Sequence, residues 1–310
     1  MKIVSVVVTY NRKKLLEECV NAIINQSYSC DKIIIVDNNS NDGTDNMLDE
    51  NGYLKNEKII YKKLPKNIGG AGGFYEGMKS ARELNADWVW IMDDDTIPEK
   101  EALFEMVTAR KKLPNKVSFL ASAVYGMKGN CMNCTEVSTK KDDEGYFTWH
   151  KYLKDGLLRI DSATFVSLLI NGEALKQMGL PCKDYFIWGD DTEYTKRLTT
   201  YFGEAYLVGK SIVIHKRQGN GQLDIMNEEK EQRINMWYYM VRNNLLNTKT
   251  YSGRSGLLKT LKVYIILSIK ILLKKGIVFR FKKFSVIIKG IIDYLFGNYD
   301  KEAFKNRLNS

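Results

Sequence analysis

Through the first half of the chain, apolar runs of strand length alternate with amphipathic stretches of helix length, which is the pattern of βαβ units in a mostly parallel sheet. Strands are expected at Ile3–Thr9, Lys32–Asp37, Ile59–Lys63, Trp88–Met92 and Val117–Val124. Helices are expected at Lys13–Asn25, Thr44–Asp49, Gly72–Leu84 and Glu99–Arg110. The period then fades over Lys128 to Arg159, whose mixed polar and aromatic content suits an insertion on the acceptor side of a site. A strand-like run returns at Asp161–Ile170, followed by a short helix at Gly172–Met178 and a short strand at Ser211–His215. Asp190 with Glu193 three residues on has the spacing of a capping box at a helix start. Open parallel sheets bind ligands at the carboxyl ends of their strands, so the residues just after each strand come first in any search for chemistry.

Length and charge refine this picture. The chain has 310 residues, 44% of them hydrophobic and 27% charged, which suits a folded catalytic domain over 1–220 with a helical appendage over 221–310. Residues 251–310 hold 13 Lys and Arg against 3 Asp and Glu, which accounts for the whole net charge of +10. Apolar side chains interleave with these cations, and no uncharged stretch approaches the roughly 20 residues that span a bilayer. Such helices lie on anionic membrane surfaces or pack on protein, and nucleic acid is not the expected partner. Five cysteines in so long a chain do not form a disulfide framework. Cys131-x-x-Cys134 is half a zinc pattern with no second pair. The apolar stretch after Met1-Lys2 is too short for a secretory leader and serves as a first strand, so the expected home is the reducing cytoplasm.

Candidate chemistry gathers at the strand ends. Asp93-Asp94-Asp95 closes the apolar run Trp88–Met92, and strand alternation lets Asp93 and Asp95 share one cleft while Asp94 turns away. Hard carboxylate oxygens there select Mg or Mn, which in turn accept diphosphate oxygens. A solvated turn is the plain alternative. Asp37 ends another apolar run, where it can meet a base or ribose or simply form an Asx-turn. Asn67 to Phe74 carries four glycines in five positions, suited to close approach of a ligand and to anions at a helix start, or to tight helix-on-sheet packing. The dinucleotide fingerprint fails, because the glycine it needs after Gly70-x-Gly72 falls on Tyr75. Asp191 opens a helix beside Tyr185 and Trp188, where partial desolvation raises basicity. His215, one of two histidines, ends a strand and can complete a cation site with Asp95.

Val6 to Arg12, Val36 to Thr44, Asn67 to Gly70 and Asp93 to Asp95 together resemble the family 2 glycosyltransferases over about residues 1 to 220. The resemblance implies an α/β fold of GT-A type, a nucleotide-sugar donor, a divalent metal and inversion at the anomeric carbon. Gly69 to Phe74 and Asp190 to Tyr194 look most like galactofuranosyltransferases that use UDP-galactofuranose, with dTDP-rhamnose transferases close behind. By this likeness Asp93, Asp95 and His215 hold Mn or Mg, and Asp191 is the base. Thr9, Arg12, Asp37, Asn67, Gly69, Gly70 and Asp94 face the donor, and Tyr185, Trp188 and Asp190 face a saccharide acceptor. A polyprenyl-linked acceptor, attachment to the inner face of the cell membrane and a homo-oligomer follow as expected partners. A nucleotidyltransferase would want an early glycine-rich basic loop, which Thr9 to Arg12 does not offer, and a non-catalytic saccharide-binding scaffold would not need the acidic residues.

Overall fold

The computed structural model describes residues 1–114, 116–217 and 223–297. The expected boundary at residues 220 and 221 therefore lies outside the described residues. In chain order the elements are β1 (Ile3–Thr9), α1 (Lys13–Ile24), β2 (Lys32–Asp37), α2 (Thr44–Glu50), β3 (Ile59–Lys63), α3 (Gly69–Glu83), β4 (Trp88–Asp93), β5 (Thr96–Pro98) and α4 (Ala102–Lys112). There follow β6 (Val117–Gly126), β7 (Glu136–Val137), β8 (Leu157–Ser162), β9 (Leu168–Asn171), α5 (Gly172–Met178), α6 (Asp190–Tyr201), β10 (Glu204–His215), α7 (Glu231–Leu273) and α8 (Arg280–Phe296).

One sheet runs β3-β2-β1-β4-β9-β6-β10-β8-β7, with β5 on the end of β10. Seven of its ten strands share a direction, because β9, β8 and β5 alone pair antiparallel to their neighbours' common sense. All seven residues of β1 are buried, as expected of a parallel strand covered by helices on both faces. Two apolar layers result, one around Val7, Leu16, Ile35, Trp90 and Met106, the other around Val6, Phe74, Ile91, Phe119 and Tyr194. Their burial supplies the main stabilisation, at ~25 cal/mol per Å² of apolar surface.

Each strand and helix expected in the first half is found to within a few residues, with α3 starting three residues early and α4 three residues late, whereas the short β5 was not expected. The run Asp161–Ile170 is not one strand. It divides into β8 and β9 around a turn at Ala163 to Ser167, where Phe165 and Val166 are buried without being strand. The strand at Ser211–His215 is the last part of the longer β10, which shifts register between Val208 and Ile212.

Beyond the sheet, α7 and α8 form a hairpin with its own core of Trp237, Val241, Leu245, Tyr264, Ile271 and Ile287. Gly253 (φ 67°, ψ −162°) is the one non-helical residue inside α7. The inner half of α7 packs on the α/β body through Asn243 and Asn247, and the outer half with α8 exposes Leu258, Val263, Leu273, Phe281, Leu295 and Phe296. Among the described residues no helix is long and apolar enough to cross a membrane.

Candidate active site

β4 lies between β1 and β9, and its register sets Val8 opposite Asp93. The chain then turns through Asp94 and Asp95 into β5, whose Thr96 pairs with His215 at the end of β10. That short antiparallel pairing brings a residue 120 positions away beside the acidic triplet. One carboxylate oxygen each of Asp93 and Asp95 and a ring nitrogen of His215 all lie within 4.8 Å of one another. Asp95 Oδ1 is buried, stands 3.2 Å from His215 Nε2 and has no hydrogen bond of ordinary geometry. His215 Nδ1 meets Asn133 Oδ1 at 2.8 Å, which fixes the ring and leaves Nε2 toward the acids.

Asp94 turns the other way, accepting from Thr9 Oγ1 at 2.8 Å and from an Arg12 guanidinium nitrogen at 3.2 Å. The same nitrogen of Arg12 donates to Asp95 Oδ2 at 2.8 Å. Burial pushes the Asp94 carboxyl up to about 6, against the pull of Arg12. Burial and then its neighbours Asp95 and Asp94 push Asp93 well above the usual carboxylate range. Asp95 goes the other way: burial opposes ionisation, but His215 and Arg12 outweigh it and hold the carboxyl below its usual value. A crowded acidic trio with one arginine is short of positive charge, and oxygen and imidazole donors around an unsatisfied carboxylate oxygen suit Mn or Mg.

The second acidic pair opens α6. Asp190 is buried, and burial followed by the charge of Asp191 pushes it up to about 8. Asp191 is half-buried and also raised by burial, while its Oδ1 accepts from the Thr192 amide at 2.6 Å. The charge of Asp190 contributes to the raised pKa of Asp93, so the two acidic clusters share one electrostatic field. No capping box forms: Gly189 is the cap residue, and Glu193 instead pairs with Arg197 through two contacts of 3.0 Å.

Other expected site residues fall differently. Asp37 is buried, accepting from the Ser40 amide and the Tyr61 hydroxyl, both at 2.7 Å, as an Asx-turn would have it. Asn67 Oδ1 accepts from the Gly69 amide at 2.8 Å, and the Ala71 amide donates to Phe186 O at 3.1 Å. These amides of the glycine run are thus engaged within the protein. Gly69 (φ 78°) is required here, since a Cβ on it would sit 2.0 Å from Phe186 O. Gly70, by contrast, faces open space. Tyr185, expected on the acceptor side, turns inward and donates its hydroxyl to Asn247 Oδ1 at 2.5 Å. Trp188 is half-buried against Trp237, with ring centroids 5.8 Å apart. Sequence reasoning missed Asn133, Arg242, Asn243 and Asn247, although the i, i+4 spacing of the last two puts both amides on one helix face.

A mostly parallel sheet with an acidic cluster at its strand ends is the arrangement of GT-A glycosyltransferases. A family described as "Glycosyl transferase family 2" matches residues 5–156, just under half of the chain, and that stretch is similar to it. It is 38% identical over 94 residues to galactofuranosyltransferase GlfT1 of Mycolicibacterium smegmatis, covering 30% of each chain. To GlfT1 of Mycobacterium tuberculosis it is 28% identical over 211 residues, covering 63% of each. Abequosyltransferase RfbV of Salmonella typhimurium is 40% identical over 99 residues, 31% of this chain and 28% of that one. Each alignment thus spans less than two thirds of the relative's own length. Among solved structures, GalNAc-T7 with UDP, GalNAc and Mn2+ superposes with a TM-score of 0.61 at 15% identity, over 94% of this chain and 55% of that one, which speaks for the fold.

Proposed function

We propose that this protein is an inverting, divalent-cation-dependent glycosyltransferase that moves a sugar, foremost galactofuranose from UDP-galactofuranose, onto a saccharide acceptor. The observation that carries this reading is the gathering of Asp93, Asp95 and His215 within 4.8 Å around an unsatisfied Asp95 oxygen. Those three residues would hold Mn or Mg, which supplies neutralisation of the charge growing on the departing diphosphate, worth several kcal/mol in general. Arg12 flanks that diphosphate, with Thr9, Asp94, Asn67, Gly69 and Gly70 along the donor side and Asp37 toward the nucleobase. Asp191 takes the acceptor's hydroxyl proton, a contribution of ~10²- to 10⁴-fold in rate. The acceptor oxygen then forms its bond to the anomeric carbon as the carbon–diphosphate bond breaks on the opposite face, so configuration inverts. Asp190 and Trp188 border the acceptor, and Tyr185 supports them from beneath.

The galactofuranose assignment rests on the GlfT1 likeness, and dTDP-rhamnose is the runner-up because its transferases share a similar glycine-rich loop. Incubating the chain with UDP, dTDP and GDP sugars, with Mn2+ or with excess EDTA, tests the whole reading. Metal-dependent release of UDP is expected. No turnover of any donor would sink the reading, and undiminished turnover in EDTA would remove the cation from it.

The tail extends the proposal to a lipid-linked acceptor at the inner face of the cell membrane. Leu258, Val263, Ile269, Leu273, Phe281 and Phe296 are exposed among Lys259, Lys262, Lys270, Lys274 and Lys282, the make-up of an interfacial helical hairpin. The full chain should float with vesicles containing anionic lipid, and L273E/F281E should not. Equal flotation of the two would dismiss the membrane, and a dimer that L273E/F281E dissolves would assign the face to a second copy.

A further inference from the structure

The six residues before the acid pair, Asp184 to Gly189, form a loop in which every backbone carbonyl is taken by a group distant in sequence. Arg242 donates to Asp184 O at 2.6 Å. Asn243 Nδ2 shares its two hydrogens among Tyr185 O, Ile187 O and Trp188 O at 3.0, 3.1 and 2.7 Å. Asn247 Nδ2 donates to Gly189 O at 2.8 Å, and the Ala71 amide serves Phe186 O. Because the groups facing both amide nitrogens are carbonyls, which only accept, the orientation of each asparagine is fixed by chemistry.

This network holds a backbone that would otherwise relax. Phe186 (φ 62°), Trp188 (φ 61°) and Gly189 (φ 93°) all lie at positive φ, a strained conformation for the two non-glycine residues. Asn243 is fully buried, and its Cβ lies 3.2 Å from where a Gly189 Cβ would stand. Strain of this kind persists only where the surroundings over-determine it, and it is found where geometry matters to chemistry.

We infer that Asn243 and Asn247 are positioning residues for the transfer step: they clasp the loop 184–189 in the one conformation that aims Asp190 and Asp191 at the acceptor. The inference rests on the glycosyltransferase reading and adds to it the means by which the base is held. The two asparagines touch neither substrate in this account. They act through three backbone carbonyls and one, respectively.

The test uses the full chain carrying Asn243→Ser or Asn247→Ala, with UDP-galactofuranose as donor and an octyl galactofuranoside as acceptor. Hydrogen exchange should quicken within residues 185–192 in both variants, while the affinity for UDP with Mn2+ stays within about two-fold. The kcat for transfer should fall by ~10-fold or more at an unchanged donor KM, the loss that a small misplacement of a catalytic group produces. Loss of UDP binding in step with kcat would mean a merely structural role and overturn the inference. So would a folded variant with wild-type kcat, or one with unaltered exchange at 185–192. A wild-type chain that turns over no donor at all fails the glycosyltransferase reading instead, so the two failures are told apart. Should Asn243→Ser not fold, Asn247→Ala decides alone, since it removes a single carbonyl contact and one hydroxyl contact.

Discussion

At Asp93 to Asp95 the acids ride on the end of β4, gripped by β1 on one side and β9 on the other, with His215 delivered by the β5–β10 pairing. At Asp190 and Asp191 they open a helix behind a loop at positive φ, held by side-chain amides from α7. The first arrangement is set by regular ladders that cannot shift without unmaking the sheet. The second is set by a few hydrogen bonds whose loss leaves the sheet intact. On the proposed reading, a cation and a diphosphate would need the fixed cradle of the first, and an acceptor would meet the loop-carried surface of the second.

The sharpest way to break this contrast is at the proposed base. Asp191→Asn should lower kcat by ~10²-fold or more, the scale of a lost general base, while UDP binds within a few-fold of wild type. Retention of even a third of the activity would mean that Asp191 is not the base. A smaller effect comes from proton concentration. The Asp190 carboxyl is pushed up to about 8 and holds a proton below that value, while burial raises Asp191 beside it. Transfer should therefore fall on the acid side, by ~10-fold per unit below the Asp191 transition, and that transition should lie above the ordinary carboxylate range. An acid limb at the ordinary carboxylate position would contradict the burial of Asp191 as the base. The raised Asp190 value means that the folded chain binds its proton more tightly than the unfolded one. The resulting stability is complete below about 4 and is lost as pH rises toward 8.

Much of this was legible in the sequence, for physical reasons that differ by region. Buried parallel strands announce themselves as continuous runs such as Ile33 to Val36, and a carboxylate at the end of such a run stands out because burial is costly for it. The turn between β8 and β9 stayed hidden because Phe165 and Val166 are buried in a turn as thoroughly as in a strand. Tyr185 read as an acceptor contact because composition does not say which way a side chain points. The contacts of Asn133, Asn243 and Asn247 had no local signature, since an asparagine that meets a ring 82 residues away or backbone carbonyls 58 residues away leaves no mark on its own neighbourhood.

Gly253 gives α7 one further property. A straight rod from residue 231 to 273 would carry any torque on its outer, apolar half directly into Asn243 and Asn247. With φ 67° and ψ −162° at Gly253 the helical ladder is interrupted, and bending concentrates at such a break. Across that break Asn244 Nδ2 donates to the Tyr264 hydroxyl at 2.9 Å, and Tyr264 and Ile271 share one core with Trp237, Val241 and Leu245, so the outer half folds back as a buttress for the segment that carries the two asparagines.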